Sequence, residues 1–381
     1  MTTLQRLLAG LLITASLMVF GFLVTHAASN SAFIGYVKYT LDLCNNKLYI
    51  GQYTPTCNYQ PTQMLYLKST GYIYVDDHTA NAIFVISPKT NKIIKTIQIG
   101  SCKPLGMTYD PVNGYIYVAC IKSNTIAVIN PARYRVVATI SSPYLDGPIT
   151  TWYDPVTGYI YVWNAGNNKI VIINPTINSV VGLFPYGGVG IIYNPINGYL
   201  YVLFPNGTYI IINQRTNETV TEGSLGFRPS LGAFVHNGAS YIAYMISLHS
   251  LYVVKFTNIA MVVLRKLWLG NNITATLIIP TSMAYDPRNG YLYIAGHGKV
   301  IVINPSTGEI VGTISVGGPP NYVFYNPANG YIYVLNSGSG SISIISTTLQ
   351  TSQPPITTYA IVGIIVIIAV IAAVIIKARR R

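Results

Sequence analysis

The chain of 381 residues is 51% apolar and only 9% charged, which excludes a disordered polar polymer and provides ample material for a large core. A formal net charge of +13 suggests nucleic-acid binding only until it is divided along the chain. Arg6, Lys377, Arg379, Arg380 and Arg381 sit at the two ends, the other Lys and Arg are scattered without a basic run, and nucleic acid is not an expected partner.

At the N-terminus, Arg6 precedes an apolar stretch from Leu7 to Val24, followed by the small residues Ala27 and Ala28. This pattern predicts a signal peptide over residues 1–27, with an uncleaved signal anchor as the alternative, and either one carries the repeats out of the cytoplasm. Residues 28–56 hold two strand-like runs, Phe33-Ile34-Gly35-Tyr36-Val37 and Lys47-Leu48-Tyr49-Ile50.

From residue 57 to 346 one motif recurs. Its clearest copy is Tyr109-Asp110-Pro111-Val112-Asn113-Gly114-Tyr115-Ile116-Tyr117-Val118, repeated from Tyr153, Tyr193, Tyr285 and Tyr325, with a weaker copy from Tyr66. The motif glycines at 71, 114, 158, 198, 290 and 330 are 43, 44, 40, 92 and 40 residues apart. The gap of 92 spans two periods and places a degenerate unit near 224–270. Asp-Pro-x-Asn-Gly closes a tight turn, because Pro sets φ, Asp caps the turn and Gly accepts a left-handed conformation. Tyr-Ile-Tyr-Val is apolar on both faces, as a strand sandwiched between neighbouring sheets requires.

A second punctuation mark occurs at Ile129-Asn130-Pro131, Ile173-Asn174-Pro175 and Ile303-Asn304-Pro305, with Ile86-Ser87-Pro88 as a variant, and marks the turn into an outer strand. Four strands in a period of 40 to 44 residues predict an all-β fold, a seven-bladed β-propeller, with eight blades as the alternative. The last unit lacks a fourth strand, which the N-terminal segment is placed to supply. Because strand direction alternates, the regular turns share one face of the disc and the irregular loops the other.

The repeats resemble the YVTN β-propeller family of cell-surface proteins. Tyr161-Val162-Trp163-Asn164 and Tyr333-Val334-Leu335-Asn336 carry its namesake tetrad, and Tyr74-Val75-Asp76-Asp77 is a near match. That resemblance implies a propeller on the cell surface and implies no activity.

Beyond a short linker, 347–358, residues 359–376 contain no charge and as a helix extend about 27 Å, one hydrocarbon core. The basic tail 377–381 then sets the C-terminus in the cytoplasm and the repeats outside. The short linker turns the regular-turn face towards the membrane and the loop face outward.

Four cysteines in an exported chain point to two disulfides. Three pairings are open; hairpin geometry favours Cys102 with Cys120, leaving Cys44 for Cys57. Asn206, Asn217 and Asn272 head glycosylation triplets. The ten acids are assigned mostly to turns and outer strands, which leaves Asp76, Asp77 and Asp146 near the loop face. Asp76, Asp77 and His78, with His297 in a loop of another unit, form the most suggestive cluster, read as solvated loop residues, and with Asn164 and Asn336 they are the candidates for a ligand face. No catalytic or metal motif and no cofactor signature occurs. The expected function is a membrane-anchored surface module that binds protein or carbohydrate, with an extracytoplasmic enzyme or metal or redox protein as the alternative. Protease added to intact cells is expected to remove the repeats and leave a short C-terminal epitope protected, and an accessible C-terminal tag would reverse this topology.

Overall fold

The computed structural model describes residues 35–347 except 186, 188–189, 195–196, 205, 217, 229–232, 238–239, 248–249, 258, 269–281 and 297. The expected signal peptide, membrane span and basic tail lie outside the described residues, as do His297, Asn217 and Asn272. No helix among the described residues is long and apolar enough to cross a membrane.

Every regular element described is a strand, and the strands form seven antiparallel sheets. The first sheet runs Pro61–Leu67, Tyr72–Asp77, Ala82–Ser87 and Lys92–Gln98 in consecutive order. Five more sheets repeat that plan. The degenerate unit keeps all four strands, Ala233–Asn237, Ser240–Ser247, Ser250–Phe256 and Met261–Trp268, although its first turn has lost Asp-Pro-x-Asn-Gly. In the last sheet, Pro320–Tyr325, Ile332–Asn336 and Ser341–Ser346 are completed by the N-terminal strand Tyr36–Asp42, which pairs antiparallel from Tyr36 opposite Ser346 to Asp42 opposite Ser341. Lys47–Ile50 adds a fifth, outermost strand.

Core formation reflects the apolar pattern of the second and third strands. Side chains alternate between the two faces of a strand, so a run such as Ala82–Ser87, buried along its whole length, must be covered on both sides. Seven apolar clusters do this, each drawing on two consecutive sheets. Ile73, Val75, Phe84 and Ile86 of the first sheet pack with Tyr333, Leu335, Ile342 and Ile344 of the seventh, which closes the ring. First strands contact first strands and line the axis, while fourth strands lie at the rim with most residues partly or fully exposed.

Two polar stitches join neighbouring sheets. The second Tyr of Tyr-Ile-Tyr-Val is buried, and in four sheets its hydroxyl reaches the next sheet: Tyr74 and Tyr117 donate to the carbonyls of Pro131 and Pro175, both at 3.3 Å. Tyr201 donates to the Thr257 carbonyl, and Tyr333 donates to Asn91 Oδ1 at 2.8 Å across the closure. The motif Asn, four residues upstream, donates to the same hydroxyl, as Asn113 does to Tyr117 at 2.9 Å and Asn329 to Tyr333 at 2.9 Å. On the opposite face, Asn81 and Asn124 sit at φ 52° and accept the amides of Lys103 and Gly147 at 2.8 Å, just ahead of the next sheet's first strand. The tyrosine stitch explains why the motif holds Asn and Tyr at that spacing.

Removing the closing hydroxyl with Tyr333→Phe leaves Asn91 Oδ1 and Asn329 Nδ2 without their buried partner and is expected to cost about 1–3 kcal/mol. Tyr115→Phe, on the half-buried first Tyr of its motif, is expected to be nearly neutral. Denaturant midpoints of the two full-length variants check this; equal midpoints would show that the hydroxyl does not hold the ring.

Candidate functional site

The loop face is built from the ends of the second strands and the loops that extend from them. One position there is equivalent in four sheets and is occupied by Asp77, Cys120, Asn164 and Asn336, all buried. Each ties down its own loop. Asp77 Oδ1 accepts the amides of Thr79 and Ala80 at 3.0 and 2.7 Å. Asn164 donates to the Tyr144 carbonyl and accepts the Asp146 amide, both at 3.2 Å. Asn336 donates to the Ser341 and Ser343 hydroxyls at 3.0 Å. Cys120 forms a disulfide with Cys102, with Cα atoms 4.4 Å apart. Cys44 and Cys57 form the second, with Cα atoms 5.9 Å apart. Asp77, Asn164 and Asn336 are thus loop caps set inside the protein rather than groups displayed for a ligand.

Asp76 and Asp77, solvated by the sequence reading, are both fully buried. The reason is a bulge in the first strand, where the pairing steps from Pro61 opposite Asp77 to Gln63 opposite Asp76. Asp76 Oδ1 fills that irregularity, accepting the Thr62 hydroxyl at 2.6 Å and the Gln63 amide at 2.5 Å, while Oδ2 has no hydrogen-bond partner among the described residues. Pro104, Pro148 and Pro320 open the same bulge in three other sheets. Proline has no amide to give the ladder, and this recurrent Pro, five or six residues ahead of the motif turn, is a sequence signal that lies outside the turn motif itself.

Gln63 bridges three sheets at the axis. Its Oε1 accepts the Met107 amide of the second sheet at 2.5 Å, and its side chain bonds the Tyr322 hydroxyl of the seventh. Burial, opposed by the Thr62 and Gln63 hydrogen bonds, pushes the Asp76 carboxyl up to about 7. Burial also raises Asp77 and Asp154. Asp286 moves the other way: burial alone would raise it, but hydrogen bonds from Arg288 and Thr347 hold it below its ordinary value.

Beside these buried groups lies an open groove of about 700 Å³ between the loops of the second and third sheets. Hydroxyls and amides of Ser123, Thr125, Ser142 and Asn167 line it together with the Asp146 carboxylate. Tyr144, 54% exposed, falls in the chain between the lining residues Pro143 and Leu145, and its carbonyl accepts from Asn167. Of these groove residues only Asp146 stands out in the sequence, as an acid near the loop face, because loops of different sheets meet only in the ring. Asn206 is exposed on the loop of the fourth sheet, where its Oδ1 accepts from the amide and hydroxyl of Thr208. The one trio of metal-ligand types that converges among the described residues is Asp42, Cys44 and Cys57, and its two sulfurs are joined in the disulfide, so no thiolate remains for a cation.

No family model and no curated protein matches the sequence. In three dimensions the chain is similar to hydrazine synthase of Kuenenia stuttgartiensis, at 16% identity and a TM-score of 0.61 over 79% of this chain and 100% of that one. It is also similar to the Cps50 (Swd1) β-propeller domain of Myceliophteria thermophila, at 10% identity and a TM-score of 0.64 over 76% and 96% of the two chains. A streptogramin B lyase matches at 13% identity and a TM-score of 0.58 over 78% and 97%. Such distant likenesses show the fold alone, and they show it to be a β-propeller.

The carboxyl shifts have a sign that can be worked out. Unfolded, Asp76 ionises near 4; folded, it holds its proton to about 7, so between those values the folded state binds more protons and stability falls as pH rises. The propeller is therefore expected to gain stability on acidification from pH 7 to about 4, and Asp76→Asn to flatten that slope. Asp286, whose ion pair contributes above the unfolded value, gives up its share only below about pH 4. Thermal melts across pH 3–7 check both signs, and a midpoint that drops steadily from pH 7 to 4 would contradict them.

Proposed function

We propose that this chain is a seven-bladed propeller of the YVTN type, held outside the cell membrane by its C-terminal helix, that binds neutral carbohydrate on its outward loop face. The observation that carries the reading is the groove between the second and third sheets. Its lining is rich in hydroxyls and amides, it holds one carboxylate, and the exposed Tyr144 falls in the chain between two of its lining residues. Sugar hydroxyls are recognised by this combination of amide and carboxylate partners with apolar stacking. Asn124 and the Cys102–Cys120 disulfide hold the groove's walls, which lowers the ordering cost of binding. Two disulfides support an oxidising, extracytoplasmic setting, and exposed Asn206 suits a surface glycan.

The test uses the full-length protein in a detergent without sugar headgroups and an array of neutral oligosaccharides. Binding to at least one class is expected, weakened about tenfold by Asp146→Asn or Asn167→Ala, roughly one good hydrogen bond each. Melting midpoints should stay put. Wild-type protein that retains no neutral glycan would remove the proposal.

A further inference from the structure

The rim of the propeller is uneven. Of the fifteen large apolar side chains exposed on the described surface, five cluster at the outer strand of the fifth sheet: Ile259, Val262, Val263, Leu264 and Trp268. That strand is the last in its sheet, so its outer ladder faces away from the ring. Long apolar edges attract another chain unless they are blocked, and the only charges on this one are Arg265 and Lys266.

Charge on this part of the rim is divided by sheet. Residues 224–270 contain Arg228, Lys255, Arg265 and Lys266 and no acid. The neighbouring outer strand of the fourth sheet, Glu218–Ser224, instead exposes Glu218 and Glu222. Ser224 and Trp268, the last residues of these two outer strands, pair with Thr208 and Ser250, each the first residue of its third strand. Two residues inward, Glu222 lies opposite Ile210 and Lys266 opposite Tyr252. Val220 and Leu264 are the residues skipped at the bulges, and both are exposed. Lys266 Nζ sits 5.6 Å from the Tyr252 ring centroid.

We propose that the rim formed by the outer strands of the fourth and fifth sheets is the interface of a symmetric dimer of this chain. A two-fold axis parallel to the propeller axis, through the seam between these sheets, keeps every residue at its own level and exchanges the strands. That axis turns the acidic outer strand of each copy towards the basic one of the other, and the proposed dimer pairs Glu222 with Lys266 and Val220 with Leu264. One surface holds both members of each pair, so a second copy satisfies it without any further partner. A stable contact of this kind covers about 800 Å² on each copy.

Sedimentation velocity and native mass spectrometry of the full-length chain in micelles decide the matter. The wild type is expected to dimerise in the micromolar range, and Glu222→Lys or Lys266→Glu alone to raise the dissociation constant about tenfold or more by placing like charges together twice. The double variant, which restores opposite charges, is expected to return within about threefold of the wild type. Leu264→Asp, at an exposed position, is a second disrupting variant should a charge reversal fail to fold. A monomeric wild type, single variants that dimerise as well as wild type, or a double variant no tighter than the singles would overturn the proposal. The last outcome separates this rim from association through the membrane span, which the charge exchange does not touch.

Discussion

A sheet whose second and third strands are apolar on both faces cannot exist alone in water. Each of the seven described sheets needs a neighbour on either side, and only a closed ring supplies two neighbours to every member. Ring closure therefore governs everything else. It explains why the N-terminal strand Tyr36–Asp42 completes the sheet that holds the C-terminal repeat, since chain ends joined in one sheet leave no seam of unpaired backbone. It also explains the polar stitches. A buried Tyr hydroxyl adds a directional bond to an interface that apolar packing alone would leave free to slide, and the Asn pair on the other face fixes the second edge of the same interface.

Closure also determines what polar groups are free to do. In a chain with so few charges, the carboxylates and amides at the loop ends of the second strands are consumed in shaping loops, and Asp76 is consumed in filling a bulge. Burial pushes the Asp76 carboxyl up to about 7, so below neutrality part of the scaffold is a neutral acid and not an ion. What stays open on the loop face includes the hydroxyl and amide groove between the second and third sheets, with the Asp146 carboxylate in its lining. A rigid ring with polar loops on one face is a platform for binding, and the same fold serves proteins named as enzymes and as a propeller domain.

The degenerate fifth unit shows how much of the repeat is dispensable. It has lost the Asp-Pro-x-Asn-Gly turn, yet all four strands are present, because burial against both neighbours, through Leu251, Val254 and Phe256, constrains it more strongly than any one turn. Relieved of the motif, this sheet has more exposed large apolar side chains on its outer strand than any other described unit. Its departure from the repeat lies in the rim, where ring closure places no demand on the residue type.

By itself the sequence determined the strand pattern, the turn positions, the period and the shortage of charge, because these rest on interactions between residues close in the chain: alternation of side chains across a strand, the φ preferences of Pro, Asn and Gly, and hairpin proximity of Cys102 and Cys120. The loop-end residues were legible as positions but not as environments. Asp76 and Asp77 look solvent-facing beside His78, and only the bulge across the first strand, together with the packed neighbour, shows them to be buried. The groove, the Gln63 bridge among three sheets and the placing of an acidic outer strand beside a basic one were likewise decided by the tertiary structure. Each joins residues from different sheets, and their distances are set by how the sheets stack around the axis, a quantity that no local preference encodes.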